Sequence, residues 1–277
     1  MPLIPDGRVL YAQALREHFA APAFNVCNLE MAQGAVEAAE AEEAPIILQT
    51  YPGDLTHGGA PLAALLRTLA EGSSAPVALH LDHGEGLEMI AGRLRDGYSS
   101  VMFDGSHLDL DENIRQTRRL SKVAHAFSAS LEAEIGLFGG DHGSVVFTDP
   151  EEAERFVFES GADTLAVSVG SEHHQQSRLD LERLNDISGR TGHPMVLHGG
   201  SGIHPDDVEA AVGMGVVKIN IGHAISVAMN EGAKEAIESG LDHYAMLKVM
   251  REKVRDKAIE KIRIMGTAGR APANVPA

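Results

Sequence analysis

Residues 45–50 read PIILQT, and residues 77–82 read VALHLD. Each stretch is a short apolar run that contains β-branched residues and ends on a polar side chain. Nearly continuous apolar runs are typical of strands that are covered on both faces, as in a parallel sheet between layers of helix. The two stretches therefore predict buried parallel strands.

Eight such runs occur along the chain, and each is followed by a stretch with helical spacing. The predicted strands are residues 24–26, 45–50, 77–82, 100–104, 129–135, 164–170, 195–198 and 216–221. The predicted helices are residues 28–42, 61–72, 84–96, 109–126, 150–160, 179–191, 205–214 and 222–239. Eight alternations of strand and helix predict an α/β fold, the (β/α)8 TIM barrel.

The two ends of the chain add to this pattern. Residues 8–19 and the charged residues 243–263 have helical spacing and are expected to form extra terminal helices. The chain contains no long linker rich in Pro, Gly or Ser. We therefore expect residues 1–277 to form a single barrel domain, with residues 271–277 as a flexible tail.

Composition excludes several classes of function. The 277 residues carry 40 Asp and Glu against 23 Lys and Arg, a formal net charge of −17. Nucleic acids and anionic membranes require clustered basic residues, so we expect neither partner. A lone cysteine, Cys27, and the lack of a leader-like or long apolar run predict a cytoplasmic protein. Small anionic substrates are not excluded, because they respond to the local electrostatic field of one cleft rather than to the net charge of the chain.

Polar side chains stand at the end of each predicted strand, where TIM barrels build their sites. In strand order they are Asn25, Tyr51, Asp82 with His83, Asp104, Glu134, His173 with His174, His198 and Asn220. A buried polar group costs free energy unless it is paired or binds an ion. The convergence of these strand ends therefore predicts one site.

Three histidines from three strand ends, His83, His173 and His198, could bind a divalent ion and leave one position open, as catalytic zinc requires. Asp82 could do acid–base work, or it could cap a helix or hold a histidine. Neighbouring strand residues face opposite sides, so a bend would be needed for Asp82 and His83 to share a site. Asp104 and Glu134 are candidates for orienting a ligand or holding a second metal, with ordinary buried hydrogen bonding as the alternative.

A glycine-rich segment, GGSG at residues 199–202, follows the seventh predicted strand. Free backbone N–H groups beside a helix commonly cradle a phosphate. In TIM barrels such sites concentrate after strands seven and eight. The segment is therefore a candidate anion-binding loop.

The chain contains the motifs HLDHG (80–84), DGSHLDLDENI (104–114), EAEIGLFGG (132–140), VLHGGSG (196–202), KIN (218–220) and EKIRIMGTAGRA (260–271). With AFNVCNLE (23–30), they span nearly the whole chain as far as Arg270. In these motifs and in their order the chain resembles the class II, zinc-dependent ketose-bisphosphate aldolases, and in particular their short fructose- and tagatose-bisphosphate branches.

The resemblance implies a lyase that reversibly cleaves a ketose, phosphorylated in the leading interpretation, to dihydroxyacetone phosphate and an aldehyde. It implies one catalytic Zn2+ per subunit on His83, His173 and His198, with a monovalent cation as an optional second ion. Asp104 and Glu134 match positions that can offer an alternative metal site.

The resemblance also assigns roles around the sugar. Asp82 would move the proton of the C4 hydroxyl, and Asn220 would hydrogen-bond the bound ketose. Gly199 and Ser201 would hold the phosphate, and Asn25 is a further substrate-binding candidate. Members of the family are dimers or larger, so a homodimer or homotetramer is expected, with Arg270 of one subunit reaching the neighbour's substrate.

The sequence departs from the family in the loop after the fifth strand. Residues 139–143 read GGDHG, which is short, and His142 stands at about the position of a catalytic carboxylate. A histidine titrates near neutral pH and is chemically suited to proton exchange. Asp141 or His142 is therefore expected to exchange the proton of the enediolate carbon.

The residues of the expected phosphate pocket also differ from the family pattern. His174 stands where the family has Gly, and Tyr51 takes the place of a serine. Gly222 and His223 replace the Asp-Thr of the fructose type or the Ala-Thr of the tagatose type. The missing Asp at Gly222 disfavours fructose 1,6-bisphosphate as the preferred substrate.

Several interpretations of this pocket stay open. His174, His223 and Arg178 could replace the lost donors and bind a phosphate or another anion. Alternatively, the pocket could accept a ketose without phosphate. A metal-dependent epimerase or isomerase and, less favoured, a non-catalytic sugar-binding barrel are further alternatives.

Overall fold

The computed structural model describes residues 3–138, 145–171 and 176–271. Its strands are β1 (Ala21–Asn25), β2 (Ile46–Thr50), β3 (Val77–Gly84), β4 (Ser100–Phe103), β5 (Ser130–Ile135), β6 (Leu137–Phe138), β7 (Val145–Val146), β8 (Thr164–Val167), β9 (Met195–Leu197) and β10 (Val216–Ile221). Eight of them close into a parallel barrel in the order β1-β2-β3-β4-β5-β8-β9-β10. The short strands β6 and β7 pair with each other in antiparallel fashion outside the barrel.

The helices surround this barrel. They are α1 (Gly7–Glu17), α2 (Leu29–Ala41), α3 (Pro52–Gly72), α4 (Leu87–Arg95), α5 (Leu110–Ala126), α6 (Pro150–Ser160), α7 (Leu181–Thr191), α8 (Pro205–Gly213), α9 (His223–Glu238) and α10 (His243–Ile264). The structure confirms the predicted (β/α)8 TIM barrel with extra helices at both ends. No helix in the described residues is long and apolar enough to cross a membrane.

Four element boundaries differ from the sequence prediction by three residues or more. Strand β1 begins at Ala21 rather than residue 24. Helix α3 begins at Pro52 rather than residue 61, and a kink at Gly59, with φ of 53°, separates its first turns from the rest. Helix α4 begins at residue 87 rather than 84, because Gly84 is still paired with Phe103 in the sheet. Strand β8 ends at residue 167, three residues before its predicted end.

Acidic and amide side chains begin many of the helices. The side chains of Asp6, Asn28, Asp109, Asp149, Asp180 and Asp242 each accept a hydrogen bond from a backbone N–H in the first turn of a helix. Each such cap stabilises the folded protein by about 1 kcal/mol. These caps fix where each connecting loop ends and so help to position the loops above the barrel.

The amino-terminal end of the barrel is closed by α1. The backbone N–H of Gly7 donates to the carbonyl of Ser99, and the Tyr11 hydroxyl lies 3.0 Å from Ser100 Oγ. The C-terminal helix α10 packs against the two helices α2 and α9. With the amino-terminal end closed, the open rim is the carboxyl-terminal one, where the loops carry the candidate site.

Candidate active site

The site lies at the carboxyl ends of β3, β9 and β10. Ligand atoms of Asp82, His83 and His198 lie within 4.8 Å of one another, and those of His83, Asp104 and Glu134 form a second, overlapping group. The structure therefore brings these five strand-end residues together. His173, the third predicted histidine, lies outside the described residues.

Asp82 is almost fully buried and is held by three side-chain amides. Its Oδ2 accepts from Asn25 Nδ2 at 2.9 Å and from Gln49 Nε2 at 3.2 Å. Its Oδ1 accepts from Asn220 Nδ2 at 2.9 Å. Burial alone would raise the pKa of this carboxyl, but nearby His83, His198 and Lys218, with the Asn25 hydrogen bond, lower its pKa overall. Asp82 is therefore an oriented carboxylate that can accept a proton.

The backbone at His83 bends the end of β3. His83 has a φ of 51°, in the left-handed region that side chains other than glycine rarely adopt. This bend supplies the departure from strand geometry that the sequence argument required. As a result Asp82 and His83 both face the site, with His83 Nε2 3.9 Å from Asp82 Oδ1.

Carboxylates surround the His83 ring. Its Nδ1 lies 2.8 Å from Asp104 Oδ2, and Asp104 also accepts from the hydroxyl of Ser106. Burial lowers the pKa of His83, yet Asp82, Asp104 and Glu134 together raise it to about 10. The pKa of Asp104 is lowered despite its burial by its hydrogen bond to His83. These surroundings stabilise positive charge, whether a proton or a metal ion carries it.

Glu134 and His198 complete the polar floor of the site. Glu134 Oε2 is buried, has no hydrogen-bond partner among the described residues, and lies 3.6 Å from His198 Nδ1. Burial and the charge of Asp104 raise the pKa of Glu134 well above its ordinary value. The rings of His83 and His198 meet edge to face, with centroids 4.8 Å apart. A bound cation would offset the cost of burying this carboxylate, so the donor set suits a divalent metal.

The anion-binding candidate is a tight turn between β9 and α8, residues Gly199–Gly202, which we call the GGSG loop. Gly199 has a φ of 65°. A Cβ on Gly200 would lie 2.1 Å from Ile219 Cγ2, so only glycine lets the loop pack this closely on β10. Ser201 Oγ accepts from the N–H of Ala224 in the first turn of α9, and Lys261 Nζ donates to the Ser201 carbonyl at 3.0 Å. Positive charge and a helix N-terminus thus meet at this loop.

The structure places the remaining predicted residues as follows. Asn25 touches Asp82, whereas Tyr51 precedes α3 and is about half exposed at the rim. Gly222 and His223 begin α9, where a Cβ on Gly222 would lie 3.1 Å from Asn25 Oδ1. Asp141, His142 and His174 lie outside the described residues, as do residues 272–277 of the predicted tail.

Two predicted basic residues, Arg178 and Arg270, make the following contacts. Arg178, suggested as a replacement phosphate donor, forms an ion pair with buried Asp207 at 2.9 Å. Arg270 lies at the amino-terminal end of the barrel, where its carbonyl accepts from Gln13 on α1. Arg270 therefore does not line the site of its own chain, because α1 and the site lie at opposite ends of the barrel.

Three residues of the site were not singled out from the sequence, namely Glu132, Lys218 and Lys261. Glu132 and Lys218 are fully buried and form an ion pair of 2.9 Å. The signal that could have found them is strand periodicity, since Glu132 stands two residues before Glu134, and Lys218 two before Asn220. Lys261 carried no such signal, because its position depends on how α10 packs.

Comparisons with known proteins agree with this geometry. The sequence profile of the class II fructose-bisphosphate aldolases matches residues 6–270. A fructose-bisphosphate aldolase of Thermus caldophilus is 32% identical over 305 aligned positions, covering 97% of this chain and all of the relative. The structure of the YdjI aldolase from Escherichia coli K12 superposes with a TM-score of 0.90 at 31% identity, covering 97% of this chain and 100% of that one. A fructose-bisphosphate aldolase of Campylobacter jejuni, 23% identical with a TM-score of 0.83 over 96% of each chain, shares the fold.

Proposed function

The chain belongs to the class II fructose-bisphosphate aldolase family and is thus a lyase, and we infer that it uses zinc to cleave a phosphorylated ketose reversibly to dihydroxyacetone phosphate and an aldehyde. One observation carries this proposal: Asp82 is fixed by three amides beside His83 and His198. An oriented carboxylate next to a cation-stabilising cluster is what aldol cleavage requires.

The metal would be held by His83, His198 and His173, the last of which lies outside the described residues. The contact between Asp104 and His83 Nδ1 supports this assignment, because it leaves Nε2 of the same ring available. Asp104 and Glu134 would offer the alternative metal position. When bound, zinc supplies Lewis acidity that stabilises negative charge on the ketone oxygen.

Asp82 would act as the base at the C4 hydroxyl. As Asp82 takes the hydroxyl proton, the C3–C4 bond breaks, C4 becomes the aldehyde carbon, and the electron pair stays with the three-carbon fragment. The amide of Asn220 would keep Asp82 aligned and hydrogen-bond the sugar. The three-carbon fragment then gains a proton at C3, a step we assign to Asp141 or His142.

The phosphate would bind at the GGSG loop and the N-terminus of α9. Gly199 and Ser201 would contact it through the loop, and the buried ammonium of Lys261 would add positive charge behind Ser201. This charge favours the phosphorylated substrate over the free ketose. Gly222, His223 and Tyr51 would shape the rest of the pocket, which differs from that of the fructose type.

Arg270 would complete the site across a homodimer or homotetramer. Its side chain is exposed, and it lies beside α1 at the amino-terminal end of its own barrel. A substrate contact by Arg270 therefore requires the neighbouring subunit. A monomer in solution at the concentration of the assay would contradict this part of the proposal.

A product assay tests the proposed reaction. The zinc-loaded protein is incubated with ketose monophosphates, ketose bisphosphates and free ketoses, and dihydroxyacetone phosphate, dihydroxyacetone and aldehyde are measured directly. We expect dihydroxyacetone phosphate and an equimolar aldehyde from at least one phosphorylated ketose. Turnover of a free ketose alone would overturn the phosphate assignment. A single rearranged product would establish an epimerase or isomerase instead.

A further inference from the structure

We propose that the buried ion pair of Glu132 and Lys218 is a positioning unit that orients a metal-binding histidine and the catalytic base together. This inference rests on the proposed roles of His198 and Asp82. Both members of the pair are fully buried inside the barrel, with Lys218 Nζ 2.9 Å from Glu132 Oε2. Each has a further hydrogen-bond partner in the site, His198 for Glu132 and Asn220 for Lys218. Glu132 Oε2 also lies 3.8 Å from Nε2 of the buried His80.

The first connection runs from Glu132 to His198. Glu132 Oε1 lies 3.0 Å from His198 Nε2. The oxygen of a carboxylate accepts hydrogen bonds, so this contact places the hydrogen of His198 on Nε2. The lone pair of His198 is then on Nδ1, the atom that faces Glu134 Oε2 at 3.6 Å. Glu132 thereby selects the tautomer that presents Nδ1 as a ligand.

The second connection runs from Lys218 to Asp82. Lys218 Nζ donates to Asn220 Oδ1 at 2.6 Å, and Asn220 Nδ2 donates to Asp82 Oδ1 at 2.9 Å. An ammonium can only donate hydrogen bonds, so the amide atom that contacts it must be the oxygen. The amide of Asn220 must therefore point its NH2 group at Asp82.

Stability alone does not explain this pair. Replacing a buried ion pair by well-packed apolar residues is often neutral or stabilising, whereas removing one partner is strongly destabilising. An apolar pair could fill this part of the barrel, but it could neither select the tautomer of His198 nor turn the amide of Asn220. The pair is thus assigned to orientation, with an effect on both metal affinity and turnover.

Three variants separate orientation from folding, namely Glu132→Gln, Lys218→Met and the double variant E132Q/K218M. Tyr98→Phe serves as the control, because it removes a buried hydrogen bond to Thr50 and touches neither connection. For each purified protein we measure the thermal midpoint without metal, zinc affinity by chelator competition, and kcat and KM at saturating zinc. The first two readouts do not depend on activity.

We expect Glu132→Gln to weaken zinc binding about 10- to 100-fold, the usual effect of losing a group that orients a metal ligand. Lys218→Met should lower the thermal midpoint and lower kcat more than it raises KM. The double variant should regain most of the thermal midpoint, because no buried charge is left unpaired, and yet keep the low kcat. The control should match the wild type in zinc affinity and kcat.

Two results would overturn the inference: wild-type zinc affinity in Glu132→Gln, or a kcat that recovers together with the thermal midpoint in the double variant. If the single Lys218 variant does not fold, the double variant carries the test. Failure of the proposed function is recognised separately, because the wild-type protein would then release no aldehyde from any ketose, while the zinc affinities would still report on the Glu132 connection.

Discussion

Two regions of this site are built in different ways. The metal and base cluster, Asp82, His83, His198 and Asn220, stands on or directly beside strands that the barrel hydrogen bonds fix. The anion region combines the GGSG loop, the first turn of α9 and Lys261 from the distant helix α10. The first region is therefore set by the sheet, and the second by how separate elements pack.

This difference explains where the sequence departs from the aldolase pattern. The departures Tyr51, Gly222 and His223 lie at helix starts, whereas the strand-end residues keep the types that metal and acid–base chemistry need. A loop can change its side chains without moving a strand. We infer that this protein keeps the cleavage machinery of its family and differs in the substrate end that it recognises.

The largest expected effect is the loss of one metal ligand. His83→Ala removes an imidazole and leaves Asp82, Asp104 and Glu134 close together with less positive charge among them. We expect no stoichiometric zinc and no detectable cleavage, since a site with three protein ligands rarely retains zinc with two. Elemental analysis of the dialysed protein and a cleavage assay measure both. Turnover by the metal-free variant would contradict the assignment of the whole cluster.

Asp82→Asn tests the base without removing a ligand. The amide cannot take a proton, and its NH2 group would face donors from Asn25, Gln49 or Asn220. We expect kcat to fall about 10²- to 10⁴-fold, the usual contribution of a general base. Zinc content should stay near the wild-type value, which distinguishes this variant from His83→Ala. A variant with more than about a tenth of wild-type kcat would exclude Asp82 as the base.

How far the sequence predicts each region follows from the same contrast. Strand-end positions such as Asp82, His198 and Asn220 follow from the alternation of strands and helices, because parallel barrel strands all end at one rim. The order of the elements was likewise readable from buried apolar runs such as residues 45–50. The bend at His83, with its positive φ, was not readable, since it depends on neighbouring contacts that periodicity does not record.

Contacts between residues far apart in the chain could not be predicted from the sequence either. Lys261 reaches Ser201 across 60 positions of the chain, and Lys218 reaches Glu132 across 86. Helical spacing places Lys261 on α10 but does not say which loop α10 covers. The ion pair of Arg178 with buried Asp207 is a further contact that sequence position does not show. Charge near a loop in sequence is therefore weak evidence for a contact.

Lys261→Met tests the anion region with a smaller effect. The ammonium is buried, and burial lowers its pKa, yet it donates to the Ser201 carbonyl behind the GGSG loop. We expect KM for a phosphorylated ketose to rise about tenfold, which corresponds to the loss of one hydrogen bond made by a charged group. We expect kcat to change little. Lys257→Met is the matched control, one helical turn away and paired with Glu260. Equal KM values for the two variants would remove Lys261 from the anion region.

The smallest expected effect concerns Asp54, a buried carboxyl in the first turn of α3 that accepts from the Tyr51 N–H. Burial, with the charge of Asp82, raises the pKa of Asp54 from 3.8 to about 6. Between these pH values the folded protein binds more protons than the unfolded chain, so its stability falls as pH rises from about 4 to about 6.

Asp54→Asn keeps the acceptor for Tyr51 but cannot ionise, so it should abolish this fall. At pH 7.5 we expect the variant to be more stable than the wild type by about 1 kcal/mol, with allowance for solvent screening at the rim. The difference should shrink as pH falls toward 4 and vanish below that, where Asp54 is protonated in both the folded and the unfolded state. Urea unfolding at pH 4.0 and 7.5 measures the decrease. Equal stabilities at both pH values would mean that Asp54 ionises as freely as an exposed carboxyl, and that the charge of Asp82 does not extend to the rim.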